Sequence, residues 1–256
     1  MKICQCQVDV PSRNNLLPYS ELSSSDLIIG ISRLFINTPY KDQTLESSGK
    51  EKLIVNWSAF DCTTFLETIL AFVRCIRSGK ISHFYFRKNL KLIRYRRGKI
   101  DGYSSRLHYL TDWIQDNEKK GLLNNISRSL GGKPQRRKIS FMTTHCELYP
   151  ALGKKAQFAA ILKVEKNLSR RIFFVIGKDK INSLKTKIQN GDIVALTANQ
   201  KGLDVAHVGF ALWQGKNLHL LHASKKEGAV VISKKTLTAY LKSSNKFNGI
   251  IVARFL

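Results

Sequence analysis

In the stretch NWSAFDCTTFLETILAF, residues 56 to 72, Cys62 stands between Asp61 and two threonines, where apolar residues begin to recur with helical spacing. A thiol there has two readings. Free cysteines are among the most buried residue types and usually act as small hydrophobes. At a helix start, unpaired backbone N–H groups favour the thiolate, which is the nucleophilic form. Two later runs, HVGF at 207 to 210 and LLHAS at 220 to 224, place histidines in strand-like sequence. A base beside a thiol takes its proton, and a third polar group holds that base in one tautomer. Cys62 and His207 are the candidate nucleophile and base. His219 and His222 compete for the third role; three apart on a strand, they point to opposite faces, so at most one serves His207.

The elements that must position these groups follow from periodicity. Leu27, Ile28, Ile31, Leu34 and Phe35 predict a first helix behind Ser24 and Ser25, stopped at Asn37-Thr38-Pro39. The Cys62 helix has Phe65, Leu66, Ile69, Leu70, Val73 and Ile76 as its apolar face, Ser58 and Asp61 as capping candidates, and Gly79 as its stop. A basic segment, FRKNLKLIRYRRGK, ends at a glycine turn. Leu110, Trp113 and Ile114 then predict a shorter helix closed by Gly121, and GGKPQRRK reads as a loop. From about Ile172 the pattern becomes short β-rich runs: IFFVIG, DIVALT, DVAHVGFALW, LHLLHA, AVVIS and IIVARF. Helices first and consecutive strands last imply an α+β fold with an antiparallel sheet packed on at least one helix. The expected organisation is a single domain over 1–256, with a polar leading segment at 1–25, a mostly helical and loop insertion at 80–160, and the sheet at 172–256.

Asp61-Cys62, His207-Val208-Gly209 and His222-Ala223-Ser224, in that order, resemble the NlpC superfamily of papain-like cysteine hydrolases. FDCTTFLE, GYSSRLHYLTDWI, NGDIVALT, KGLDVAHVGFA and LHLLHAS are further similar to the N-acetylmuramoyl-L-alanine amidase-like branch, across roughly residues 35 to 255. The resemblance implies a papain-like core with the nucleophile helix on the sheet, and a cofactor-free hydrolase of peptidoglycan or muropeptides. The bond it implies joins N-acetylmuramic acid to L-alanine; the alternative is the D-glutamyl-diamino acid bond of the stem. It selects His222 over His219 and associates Asp61 with substrate recognition, although Asp61 can equally be a helix cap. It also implies an envelope or periplasmic location, with cytoplasmic and secreted locations as the alternatives.

The block Tyr103-Ser104-Ser105-Arg106-Leu107-His108-Tyr109 is dense in hydrogen-bonding groups. A guanidinium grips a carboxylate with two parallel bonds, and peptide stems present carboxylates, so Arg106 is the leading binding candidate, supported by Ser105, His108 and Tyr109. The plain alternative is a capping loop with a satisfied arginine.

Charge bounds the partners without choosing one. Lys and Arg number 43 against 18 Asp and Glu, a net +25 over 256 residues. Such a chain favours polyanions: anionic envelope polymers, or nucleic acid as the rival reading. No zinc-finger or RNP-like pattern accompanies the charge, so no specific nucleic acid is expected. The basic runs at Arg87 to Lys99 and Lys133 to Lys138 read as solvated faces or as long-range attractors. Five cysteines without a C-x-x-C pair argue against a disulfide scaffold and a zinc ribbon, and a metal site on Cys62, His207 and His222 ranks below the hydrolase. No apolar stretch approaches the ~18 to 20 residues of a membrane span. MKICQCQVDVPSRNN has no apolar h-region and does not resemble a secretory signal.

Overall fold

The computed structural model describes residues 22–46 and 49–256. Cys4, Cys6 and nearly all of the leading segment lie outside the described residues. The first helix, α1, spans Ser24–Leu34, and its cap is Ser23, whose hydroxyl accepts the Asp26 N–H, one residue before the expected serines. The next, α2, spans Cys62–Arg77. Its predicted face is buried, and so is nearly everything else from Thr64 onward, including Glu67 and Thr68. It is a central helix, in contact with α1, with the following helix and with the sheet. Gly79, at φ 64°, terminates it in the left-handed region as expected.

Two long helices, His83–Arg94 and Lys155–Ser169, lie where periodicity alone gave no assignment. α3, His83–Arg94, buries Phe86, Leu90 and Ile93 and carries most of the basic segment. α4, Leu110–Lys119, is the predicted short helix. A short strand, β1 (Leu123–Asn125), follows; the expected loop GGKPQRRK holds a second, β2 (Lys133–Gln135), and α5, Lys155–Ser169, comes after it.

The predicted strands all form: β3 (Phe173–Gly177), β4 (Ile193–Ala198), β5 (Val205–Gln214), β6 (Asn217–Ser224), β7 (Ala229–Ile232) and β8 (Phe247–Phe255), with the short α6 (Leu237–Lys242) before the last. Their order is β2-β3-β8-β4-β5-β6-β7, antiparallel throughout, and β1 joins the same edge of β8 as β3. β4 lies inside the sheet and is buried along its whole length. One face packs against α1 to α4 through Val208, Phe210, Leu212, Leu221 and Ala223. The opposite face carries Leu196, Ala211 and Leu220 and is covered by Leu237 and Leu241 of α6. The protein is thus an α+β fold whose longest buried helix begins at the end of the sheet that carries the histidines.

Candidate active site

Cys62 is the first residue of α2 and Asp61 is its N-cap. The Asp61 carboxylate accepts the Thr64 N–H at 2.7 Å, and the Thr64 hydroxyl accepts the Asp61 N–H at 2.9 Å. This reciprocal capping box fixes the backbone beneath the thiol. The half-buried sulfur has the Val208 N–H and the Thr63 hydroxyl for neighbours, and both favour a thiolate. Burial, reinforced by the Asp61 charge, outweighs them and pushes the Cys62 thiol up to about 12.

The strands explain why the sulfur reaches Val208. The β5–β6 ladder runs from Gln214↔Asn217 to Phe210↔Leu221 and ends there, although both strands continue. Beyond that point β5 meets the start of α2. Alternation puts His207, Gly209 and Ala211 on one face of β5, and His222 shares that face on β6. The Nε2 of His207 and the Nδ1 of His222 are 2.6 Å apart, with the rings edge to face. Gly209 makes this approach possible: a Cβ there would lie 2.8 Å from the His222 Cβ and 2.9 Å from the Leu221 carbonyl oxygen.

Burial keeps both rings neutral. It holds His207 down to about 3, with His222 adding to the effect, and holds His222 down to about 4. The thiolate that a helix start would favour is therefore replaced at rest by a neutral thiol and a neutral imidazole pair. His219 lies on the other face and bonds the Ser233 carbonyl oxygen through Nδ1 at 2.8 Å.

Cys62 and His207 line one cavity of about 240 Å³ with Asp61, Arg106, His108 and Tyr109. His222 stands behind His207, 1% exposed. Ser105 does not line the cavity. Its hydroxyl donates to the Gly102 carbonyl oxygen at 2.6 Å and accepts the Asp101 N–H, so it shapes a turn.

Arg106 borders the cavity with both Nη groups already engaged. It bonds the Leu45 carbonyl oxygen and Glu46, each at 3.0 Å, and its Nε lies 3.4 Å from Glu51, close enough for an ion pair but not aligned as a hydrogen bond. It ties Leu45, Glu46 and Glu51 to the cavity wall. His108 donates from Nε2 to the Tyr103 carbonyl oxygen, and burial holds it well below the usual imidazole range. Tyr109 donates its hydroxyl to Glu165 at 2.6 Å.

Four residues near the site escaped sequence reasoning. Arg94, read as part of a solvated basic run, is buried in the cavity wall, with Nε 2.6 Å from Glu67 and Nη1 2.6 Å from the Ile54 carbonyl oxygen. Burial raises the Glu67 carboxyl. Both its oxygens nevertheless receive N–H donors, from Arg94 and from Trp113, which suits a carboxylate and not an acid. Asp204 accepts the Thr111 N–H and hydroxyl at 2.8 and 2.7 Å, capping α4 from the start of β5. Tyr240 of α6 lies against both imidazoles, 6.4 Å from the His207 ring and 5.6 Å from the His222 ring. Glu67, at the end of the quoted run FDCTTFLE, and Asp204, inside KGLDVAHVGFA, carried a local signal; Arg94 and Tyr240 are brought in by folding. Among the described residues, no group of three His, Cys, Asp or Glu side chains is disposed to hold a metal ion, and no helix is long and apolar enough to cross a membrane.

A capped helix mouth meeting the histidine end of an antiparallel sheet defines the class of protein, an α+β enzyme with a compact polar cleft. A family model described as N-acetylmuramoyl-L-alanine amidase-like matches residues 30–250. The chain belongs to this AmiA-like family and is a hydrolase acting on amide bonds. Among solved structures it is similar to an N-acetylmuramoyl-L-alanine amidase from Bacteroides uniformis, at 38% identity and a TM-score of 0.86, covering 91% of this chain and 98% of that one. A Bacteroides fragilis protein with a provisional xylanase name is 44% identical, with a TM-score of 0.84 over 88% of this chain and 99% of that one. A Legionella pneumophila protein at 24% identity shares the fold, with a TM-score of 0.72 over 95% and 93% of the two chains. No curated protein matches the sequence.

Proposed function

We propose that the protein is a cysteine amidase of peptidoglycan with a papain-like core of the NlpC type, cleaving the amide between N-acetylmuramic acid and L-alanine. The observation that carries this reading is the 2.6 Å contact between His207 and His222 beside a thiol at a helix start. If His207 donates its Nε2–H to His222 Nδ1, its own Nδ1 keeps the lone pair needed to take the Cys62 proton. Sulfur then bonds to the carbonyl carbon as the proton moves to His207. The oxyanion is received by the Cys62 N–H, since the Thr64 N–H already goes to Asp61. Breaking the C–N bond passes the proton to the departing amine and leaves a thioester. Water, giving its proton to His207, releases the carboxylate and restores the thiol.

Neutral resting groups fit this sequence, because charge separates only as the S–C bond forms. Asp61, His108 and Tyr109 border the space for the substrate, and Arg106 holds one wall of it in place. The substrate class points to action in the cell envelope. The D-glutamyl-diamino acid bond is the second reading, since the same chemistry serves it.

Digestion of purified sacculi with the wild type and with Cys62→Ala, followed by mass spectrometry of the new termini, tests the proposal. Stem peptides with free L-alanine amines are expected from the wild type alone. New amino termini at the diamino acid, with L-alanyl-D-glutamate left attached to N-acetylmuramic acid, would move the assignment to the endopeptidase. Equal digestion by Cys62→Ala would end the cysteine mechanism.

A further inference from the structure

The strand of charge around α3 is one-sided. Residues 68–100 hold ten Lys and Arg and no Asp or Glu. Folding removes some of these from the surface: Arg94 pairs with Glu67, and Arg96 with Asp112 at 2.7 Å. Lys80, Arg87, Lys88 and Lys91 are left without an ion pair among the described residues. Phe84, Lys88 and Lys91 follow one another at i, i+4 and i+7, so they share the outer face of α3, opposite the buried Phe86, Leu90 and Ile93.

Phe84 is 69% exposed, the most exposed of the large hydrophobic residues among those described. Tyr85 packs its ring edge to face against it at 5.3 Å, and the Lys80 ammonium lies 5.5 Å from the Tyr85 ring centre. An aromatic pair ringed by unpaired cations is the composition of a surface that meets anionic headgroups with its charges and the acyl boundary with its rings. A soluble polyanion would be attracted by the charges but would give the exposed phenyl ring no apolar phase to enter.

We propose that the corner between α2 and α3 docks on an anionic lipid bilayer, with Phe84 inserted at the headgroup boundary and Lys80, Arg87, Lys88 and Lys91 against lipid phosphates. The corner follows the C-terminal end of α2, whereas Cys62 is at its start, about 24 Å away for 16 helical residues. Docking therefore leaves the cleft open toward its substrate.

Co-sedimentation of the full chain with vesicles tests this directly, using phosphatidylcholine containing one-third phosphatidylglycerol and phosphatidylcholine alone. The wild type is expected to pellet with the anionic vesicles only, and less as salt rises. Lys88→Gln with Lys91→Gln should weaken partitioning about fivefold per charge removed, and Phe84→Ser about tenfold. Unchanged thermal unfolding midpoints identify the variants as folded. The proposal is overturned if the wild type ignores anionic vesicles, if Phe84→Ser binds them as well as the wild type does, or if the wild type binds duplex DNA or a soluble anionic polysaccharide but no vesicle.

Discussion

Arg94 and Lys88 occupy the same helix, six residues apart, and lead opposite lives. Lys88 lies on the outer face of α3 and has no ion pair among the described residues. Arg94 is 3% exposed, closes a wall of the cleft and is held by a carboxylate and a carbonyl oxygen. The difference comes from neither residue. It comes from Glu67, which α2 presents to the cleft wall, and from the Ile54 carbonyl oxygen on a distant loop. A basic run is therefore two objects: an exposed surface that attracts anions over a Debye length, and an internal charge that exists only because another element brings its partner.

Removing the partner is the strongest test of that contrast. Glu67→Ala strands the Arg94 guanidinium in the interior and should cost about 3 to 5 kcal/mol in urea unfolding, while Lys88→Gln should unfold like the wild type. A Glu67→Ala loss no larger than that of Lys88→Gln would mean that Arg94 finds water and that the two positions are alike after all. Gly209→Ala should follow. Its Cβ would press on His222, so a loss of about 1 to 3 kcal/mol is expected, together with a fall in kcat as the imidazole pair is displaced.

Asp61 separates a structural from a chemical role on the charged side of the cleft. Asp61→Ala removes the cap and should cost about 1 kcal/mol; Asp61→Asn keeps an acceptor for the Thr64 N–H and should retain most of the stability. Lost activity in a stable Asp61→Asn protein would assign the charge to the substrate, and full activity would leave only the cap. The smallest effect is a displacement on the pH axis. His207 must be neutral to accept a proton, and burial holds it near 3. Because the folded value lies below the ordinary imidazole value of about 6.5, protonation and loss of kcat/KM come only at lower pH. The acid limb of the kcat/KM profile is thus expected well below 6, and a limb at 6.5 would show that water reaches the ring. The thiol, pushed toward 12, should add no limb between pH 6 and 9.

Much of this arrangement was legible locally. The Asp61 cap and the apolar spacing after Cys62 announced a helix with the thiol at its mouth, and period-two patterning announced the six strands of the C-terminal third. α3 and α5 were not assigned because many charged residues interrupt their apolar positions and their burial depends on what covers them. The sequence marked Ser105 and Arg106 as hydrogen-bonding groups, but not their partners: Gly102 holds Ser105 in a turn, and Glu46 and Glu51 hold Arg106 against the cavity wall.

By itself the sequence determined the order of the three candidate side chains, the elements that carry them and the excess of positive charge, because these depend on neighbours within a few residues. Tertiary structure alone decided that His222 lies 2.6 Å from His207, that Arg94 is interior, and that the thiol and imidazoles rest neutral. Burial and pairing are properties of what lies across space, and no local periodicity encodes the dielectric around a proton.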